Sequence, residues 1–428
     1  MSRLVGRQAE LAALLQRTGE GGIVLLSGEA GVGKTRLAAE VAAAAGAVVL
    51  RGAATHGGTA PYGPLVAALR SHLHANPGGL DGCGPLRAQL ALLLPELGDP
   101  APAADRPTLF EALRCAFAHV AGQERALVVL DDLQWSDEAT LEVLSALAEP
   151  RVLVIAAYRS DGLPRRHGLR RLRNDLRRAG RLDEVVLRPL DLAETAELLA
   201  QALDEQPAPS LAGAIHDRTE GIPFFVEELA AAALRLGGAA DDLPLPDTVR
   251  DAVLVGAAEL SADARAAAEV AAVAGETFDL DLVAAHSSEH GLSELLESGL
   301  VHEDTPARFR HALTREALYA DVPWMRRRAL HRALAEALQR SGAQSREVAR
   351  HWLGARAAEQ AREALLQAAA ESEAVHAYRD AAAADRQALD LWPDGDDDDS
   401  RAPALERYAR CSRLAGDPSQ AARALREL

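Results

Sequence analysis

Gly28-Glu29-Ala30-Gly31-Val32-Gly33-Lys34-Thr35 holds the only lysine of a 428-residue chain that carries 46 basic residues. Every other basic position is arginine. Where positive charge alone is enough, this sequence uses Arg; at position 34 it does not. The octet fits G-x-x-x-x-G-K-[ST], a loop whose successive backbone N–H groups cradle phosphates while a compact ammonium reaches the β- and γ-phosphates. A planar guanidinium fork is too broad for that task. Upstream, Gly22-Ile23-Val24-Leu25-Leu26-Ser27 reads as a short buried strand, and Thr35-Arg36-Leu37-Ala38-Ala39-Glu40-Val41 opens a helix. Strand, glycine-rich loop and helix are the context in which a helix N-terminus faces an anion and the Thr35 hydroxyl reaches Mg²⁺. Gly28 through Thr35, with Arg36 directly after, form the candidate nucleotide-binding segment.

A second half of the site follows from Ala126-Leu127-Val128-Val129-Leu130-Asp131-Asp132. Five apolar residues predict a central strand whose C-terminal end delivers a carboxylate beside the loop. Asp131 would hold Mg²⁺, through water. Asp132 would orient or deprotonate the attacking water. Val152-Leu153-Val154-Ile155-Ala156-Ala157-Tyr158-Arg159 ends another strand on a cation. Parallel strands end at one edge of a sheet, where ligands bind, so Arg159 is placed to sense a γ-phosphate; the bland reading is a surface arginine at a strand end. Lys34, Asp131, Asp132 and Arg159 are the candidate catalytic residues, and Thr35 and Asp131 the candidate metal ligands.

The bulk numbers bound the rest. The length suggests about three domains. Apolar residues make up 48% but aromatics only 4%, which favours close-packed helices around one α/β unit. A net charge of −17 argues against nucleic-acid binding by this segment itself. Cys83, Cys115 and Cys411 form no close-spaced motif, so neither disulfides nor zinc are expected. Met1–Arg7 lacks the apolar core of a signal peptide, and no apolar run approaches the ~20 residues of a membrane span. The expectation is a cytoplasmic protein with no membrane partner.

Further strands are expected at Ala47–Arg51 and Glu184–Leu187, giving a parallel sheet covered by helices on both faces. The stretch from Tyr62 to Gly122 reads as a helical insertion. Asp191 is expected to cap a helix reaching Leu203, and another helix follows Gly221-Ile222-Pro223. Gly237–Pro246 reads as a linker. Gly299–His302 and Arg308–Arg310 could pair as the wing of a winged helix. Beyond residue 345 the chain is helical and Ala-rich, with Ala388–Pro393 ending in the manner of a tetratricopeptide-type repeat. The expected domains are 1–188 for nucleotide binding, 189–240 as a small helical domain, 245–342 as a winged helix and 345–428 as helical repeats, the front part of a longer protein. The acidic run Asp394–Asp399 reads as a solvated loop. Arg165–Arg181 is arginine-rich with Leu169, Leu172 and Leu176 on one face. Its arginines form a solvated face, an arginine finger for a neighbouring subunit or an acidic docking surface.

Together these motifs resemble the signal-transducing ATPases with numerous domains, the STAND class of P-loop NTPases, and more narrowly the large ATP-binding LuxR-type transcriptional regulators related to the maltose-regulon activator. The resemblance rests on Leu4–Leu11, the P-loop, Leu130-Asp131-Asp132-Leu133-Gln134-Trp135-Ser136-Asp137, Ala157-Tyr158-Arg159, Gly221–Leu229 and Phe309–Ala317, in that order along nearly the whole chain. It implies that Val5, Gly6 and Arg7 line the adenine pocket, that Pro223 packs on the base, and that His311 reaches the β-phosphate of ADP. Nothing local forces a ligand role on His311. The resemblance further implies ATP/ADP and Mg²⁺ as cofactors and a switch controlling transcription. An inducer, small molecule or protein, would bind the repeats. Activation would bring self-association, and DNA would be reached only through a C-terminal module outside this chain. AAA+ motors usually place Glu after the metal-binding Asp; Asp132 departs from that and predicts slow hydrolysis.

Overall fold

A computed structural model describes residues 3–55, 60–101, 105–122, 124–147, 149–160, 163–164, 167–236, 257, 260–310, 312–393 and 401–428. His311 and most of 237–259, including the expected linker, lie outside the described residues, as does the acidic run Asp394–Asp399.

Five parallel strands form the first sheet: β1 (Gly22–Gly28), β2 (Val48–Ala53), β3 (Ala126–Asp131), β4 (Val152–Arg159) and β5 (Asp183–Val186), in the order β2-β3-β4-β1-β5. The near-continuous apolar character of β1, β3 and β4 has a direct cause. Ile23, Leu25, Val128, Leu130, Val154 and Ala156 point into one core, while Val24, Leu26, Leu127, Val129, Leu153 and Ile155 point into another. Successive side chains leave opposite faces, so a strand buried on both must be apolar at every position. The second core is closed by α1 (Gln8–Arg17) and α2 (Lys34–Ala44) through Leu14, Leu37 and Val41. The first is closed by α3 (Gly63–Ala75), α5 (Arg106–Ala121), α6 (Glu138–Leu144) and α7 (Gly168–Arg178), with a short α4 (Arg87–Leu90) between. The helical stretch 62–122 thus shares the covering of this face with α6 and α7. On α7 the three leucines are buried while Arg170, Arg171, Arg177 and Arg178 are exposed, the amphipathic arrangement that the spacing predicts.

Three helices follow: α8 (Leu192–Leu203), α9 (Pro209–Thr219) and α10 (Pro223–Leu236). Asp191 begins α8 with a reciprocal cap, its carboxylate accepting the Glu194 N–H while the Glu194 carboxylate accepts that of Asp191. Next come the Ala-rich helix Ala262–Ala274 and a small antiparallel sheet in which Ala307–Phe309 pairs with both Thr277–Phe278 and Val301–His302. The chain ends in consecutively packed helices from Trp324–Ser341 to Pro418–Glu427, the TPR-like part of the fold.

These repeats return to the nucleotide-binding unit. Asp380, buried on the helix Tyr378–Leu389, accepts the N–H groups of Glu138 (3.1 Å) and Ala139 (3.0 Å) at the start of α6. Arg379 beside it pairs with Glu142.

Where the helix Trp324–Ser341 meets Ser345–Gly354, two buried histidines touch, His331 Nδ1 lying 3.1 Å from His351 Nδ1. The Tyr319 hydroxyl is 3.1 Å from His331 Nε2, and Arg350 contacts both His351 and the Ala274 carbonyl. Burial, reinforced by Arg350, pushes His331 down to about 4 and His351 well below its ordinary value. Both are neutral in the fold and take up protons when unfolded, so stability is full above about pH 6.5 and is lost as pH falls towards 4. We expect His331→Gln to flatten this acid dependence, by roughly 3 kcal/mol across that window, when unfolding is followed by denaturant titration at a series of pH values.

Candidate nucleotide site

The C-terminal ends of β1, β3 and β4 bring the sequence-derived residues to one edge of the sheet. After β1 the loop turns through Gly31 (φ 77°) and Gly33 (φ 101°), backbone conformations that favour glycine. Gly33 caps α2, whose first residue is Lys34. The Lys34 ammonium is buried and donates to the Gly28 carbonyl (3.0 Å) and the Glu29 carbonyl (2.7 Å). Thr35 Oγ1 donates to Asp131 Oδ2 at 2.6 Å. Thus a hydroxyl and a carboxylate oxygen from the P-loop and β3 converge, the donor chemistry Mg²⁺ takes. Burial, with the Asp132 charge adding to it, pushes the Asp131 carboxyl up to about 6, against the pull of Thr35.

Asp132 adopts a left-handed backbone (φ 53°), and its N–H donates to Asp131 Oδ1 at 2.9 Å. Its own carboxylate accepts from Gln134 Nε2 at 2.6 Å, and Arg159 Nε lies 3.8 Å away. Arg159 is held from the other end of the chain: its Nη1 donates to Glu316 Oε1 at 2.9 Å, on the helix Ala312–Asp321. Glu276 also faces this cluster. Burial, and then the charges of Asp132 and Asp131, push it up to about 8, with Arg159 and Arg315 opposing.

Residues beyond the sheet cover the P-loop. The Phe224 N–H donates to the Gly31 carbonyl at 3.2 Å. A Cβ placed on Gly31 would lie 2.9 Å from Phe224 Cβ, 3.2 Å from Ile222 and 3.3 Å from Leu313. Half-buried Pro223 begins α10 between these contacts. Arg36 bridges α2 to Glu227 of α10. Val5 packs among Leu190, Leu198, Ile215 and Val226. Arg7 is buried with its guanidinium on the Val32 and Arg188 carbonyls, and burial lowers its pKa. The structure therefore brings Lys34, Thr35, Asp131, Asp132 and Arg159 together. Val5 and Arg7 lie at the joint between the first unit and α8–α10. Gln134 and Glu316 stood in quoted motifs without a role, and Glu276 had no local signal at all: each acquires its partners only through tertiary contact.

Residues 3–155 match the AAA ATPase domain family. That domain carries nucleotide binding and, in general, hydrolysis. Over the whole chain the fold is similar to that of a STAND protein with a tetratricopeptide repeat sensor from Pyrococcus horikoshii. There the TM-score is 0.54 at 14% identity, with 100% of this chain and 64% of that one covered. The fold is accordingly a STAND-like P-loop NTPase with TPR-like helices. An uncharacterized protein of Rhizobium meliloti is 27% identical over 406 residues, which cover 79% of this chain and 37% of that protein. A Walker-type ATPase of Pyrococcus abyssi aligns at a TM-score of 0.41 and 15% identity, covering 74% of this chain and 96% of that one. The chain spans less than two thirds of the length of the first two. Among the described residues no helix is long and apolar enough to cross a membrane.

A carboxyl binds a metal ion only when ionised, and Asp131 is pushed up to about 6 by burial and the Asp132 charge. We expect affinity for Mg-nucleotide to rise as pH climbs through that value. Asp131→Asn should weaken binding and flatten the rise, measured with a fluorescent ADP analogue between pH 5 and 8.

Proposed function

We propose that the chain is the nucleotide-operated part of a signalling switch. ADP holds the P-loop unit, the helices 189–240 and a winged-helix unit (245–342) closed, and ATP with an inducer on the repeats opens and self-associates them. In the LuxR-type reading this controls transcription, with DNA reached through a module outside these residues. One observation carries the proposal: Arg159, at the strand end where a γ-phosphate would arrive, is paired with Glu316 from a segment some 150 residues further on. A γ-phosphate offers the same guanidinium a bidentate anionic partner, so ATP competes with the segment that covers the site whereas ADP does not. Contacts of Gly31 with Ile222, Phe224 and Leu313 support the same reading, because they connect the phosphate loop to both covering units.

Lys34, Thr35 and Asp131 would hold the Mg-nucleotide, and Asp132 would orient water at the γ-phosphate. Bound Mg²⁺ supplies neutralisation of phosphate charge. Moving such an equilibrium from 1:99 to 99:1 takes about 5.5 kcal/mol of differential affinity. A charged hydrogen bond such as Arg159–Glu316 contributes about 1.5–3 kcal/mol, so ATP alone is insufficient and an inducer is needed.

The purified protein should carry tightly bound ADP and turn over well below ~1 s⁻¹, against ordinary enzyme values of about 1–10³ s⁻¹. Lys34→Ala should lose both. Many turnovers per second would instead indicate an ATPase whose work is remodelling. Glu316→Gln should speed ADP release and lower the concentration at which ATP drives self-association, read by stopped-flow fluorescence and light scattering.

A further inference from the structure

Between β3 and β4 the strand ladder stops short of the site. Its last pair is Leu130 with Ala156, whereas β4 continues beside β1 as far as Arg159. The Arg159 N–H therefore points to a side of β4 from which β3 has already departed, and a buried backbone donor needs an acceptor. Gln134 supplies it: Arg159 N–H donates to Gln134 Oε1 at 2.9 Å. The same amide donates from Nε2 to Asp132 Oδ1 at 2.6 Å. Gln134 is 8% exposed, and its backbone carbonyl lies 2.9 Å from His167 Nε2, a ring whose Nδ1 accepts the Leu169 N–H. Both ends of the side chain and the backbone that carries it are thus fixed.

We infer that Gln134 is a positioning residue for hydrolysis: it sets the carboxylate of Asp132 and the strand end bearing Arg159 at a fixed separation across the gap where the γ-phosphate and its attacking water meet. The inference rests on the hydrolytic role proposed for Asp132. With Oδ1 occupied by the Gln134 N–H, Asp132 has Oδ2 as the acceptor left for water. Its left-handed backbone is anchored by its own N–H on Asp131. An acid at position 134 keeps the acceptor for Arg159 but sets a carboxylate against Asp132. A leucine removes both bonds at similar size.

The test compares Gln134→Leu and Gln134→Glu with the wild-type chain in single-turnover hydrolysis, beside ADP affinity and thermal melting. Both variants should lose about 10- to 100-fold in the hydrolysis rate, the scale of a small misplacement of a catalytic group. ADP affinity should stay within about threefold, because an interaction made only in the transition state leaves ground-state binding untouched. Unchanged hydrolysis in either variant would overturn the role of Gln134 alone. Loss of ADP affinity and melting temperature in step with rate, in both variants, would make the residue structural only. A wild-type chain that binds ATP and never hydrolyses it would remove the hydrolytic reading and this role together.

Discussion

The guanidinium of Arg159, withdrawn from water, is the interaction on which the arrangement around the nucleotide site depends. Its side chain is 13% exposed. Taking a cation out of water costs several kcal/mol unless anions and hydrogen bonds replace the lost hydration. Asp132 stands at 3.8 Å, too far to do this alone, and the hydrogen-bonded partner is Glu316. The sheet therefore does not complete the charge balance of its own edge. Glu276 and Asp131, both pushed up by burial and by carboxylates nearby, mark the opposite shortage: too many acids share too little cation. A site with a surplus of buried acids is one that a magnesium nucleotide can resettle, since it brings a cation to them.

The sheet was legible in the sequence for a physical reason. Strands buried on two faces are apolar without interruption, and such runs bounded by helical sequence leave few other placements. The ends of those strands were legible as well, because an Asp or Arg directly after five or more apolar residues must emerge at the sheet's edge. What could not be read was pairing across long separations. Glu316 and Arg159 are 157 residues apart, and each looks locally like any exposed charge. Gln134 was visible in the motif around Asp131, but its use depends on β3 leaving β4 after Leu130, a matter of strand length that a residue or two decides. Asp380 is the clearest case. Helix caps are ordinarily found within a few residues of the helix, whereas α6 takes two of its N-terminal bonds from a carboxylate more than 240 residues away.

Tight packing makes the P-loop sensitive to both covering segments. Gly31 has no room for a side chain, with Phe224, Ile222 and Leu313 all within 3.3 Å of where one would begin. Close-packed surfaces of this kind do not deform gradually; a change of loop shape is accommodated by moving the neighbour as a whole. The same loop is thus touched by the helices after Asp191 and by the helix Ala312–Asp321.

Residues 131–139 link these contacts to the repeats. At one end Asp131 and Asp132 face the P-loop and Gln134 ties them to β4; at the other, Asp137 and Asp380 together satisfy the first N–H groups of α6. The segment is nine residues long and its middle is a turn of 3₁₀ helix, Leu133–Trp135. Charged hydrogen bonds of the Asp380 type contribute about 1.5–3 kcal/mol each when their partners would otherwise be left bare. Two of these with the Arg159–Glu316 pair reach the size of the differential a two-state switch requires, about 5.5 kcal/mol. Neither contact reaches it singly. Under the switch proposed above, the nucleotide and an inducer on the repeats would have to act together, because each would remove only part of what holds the same short segment in place.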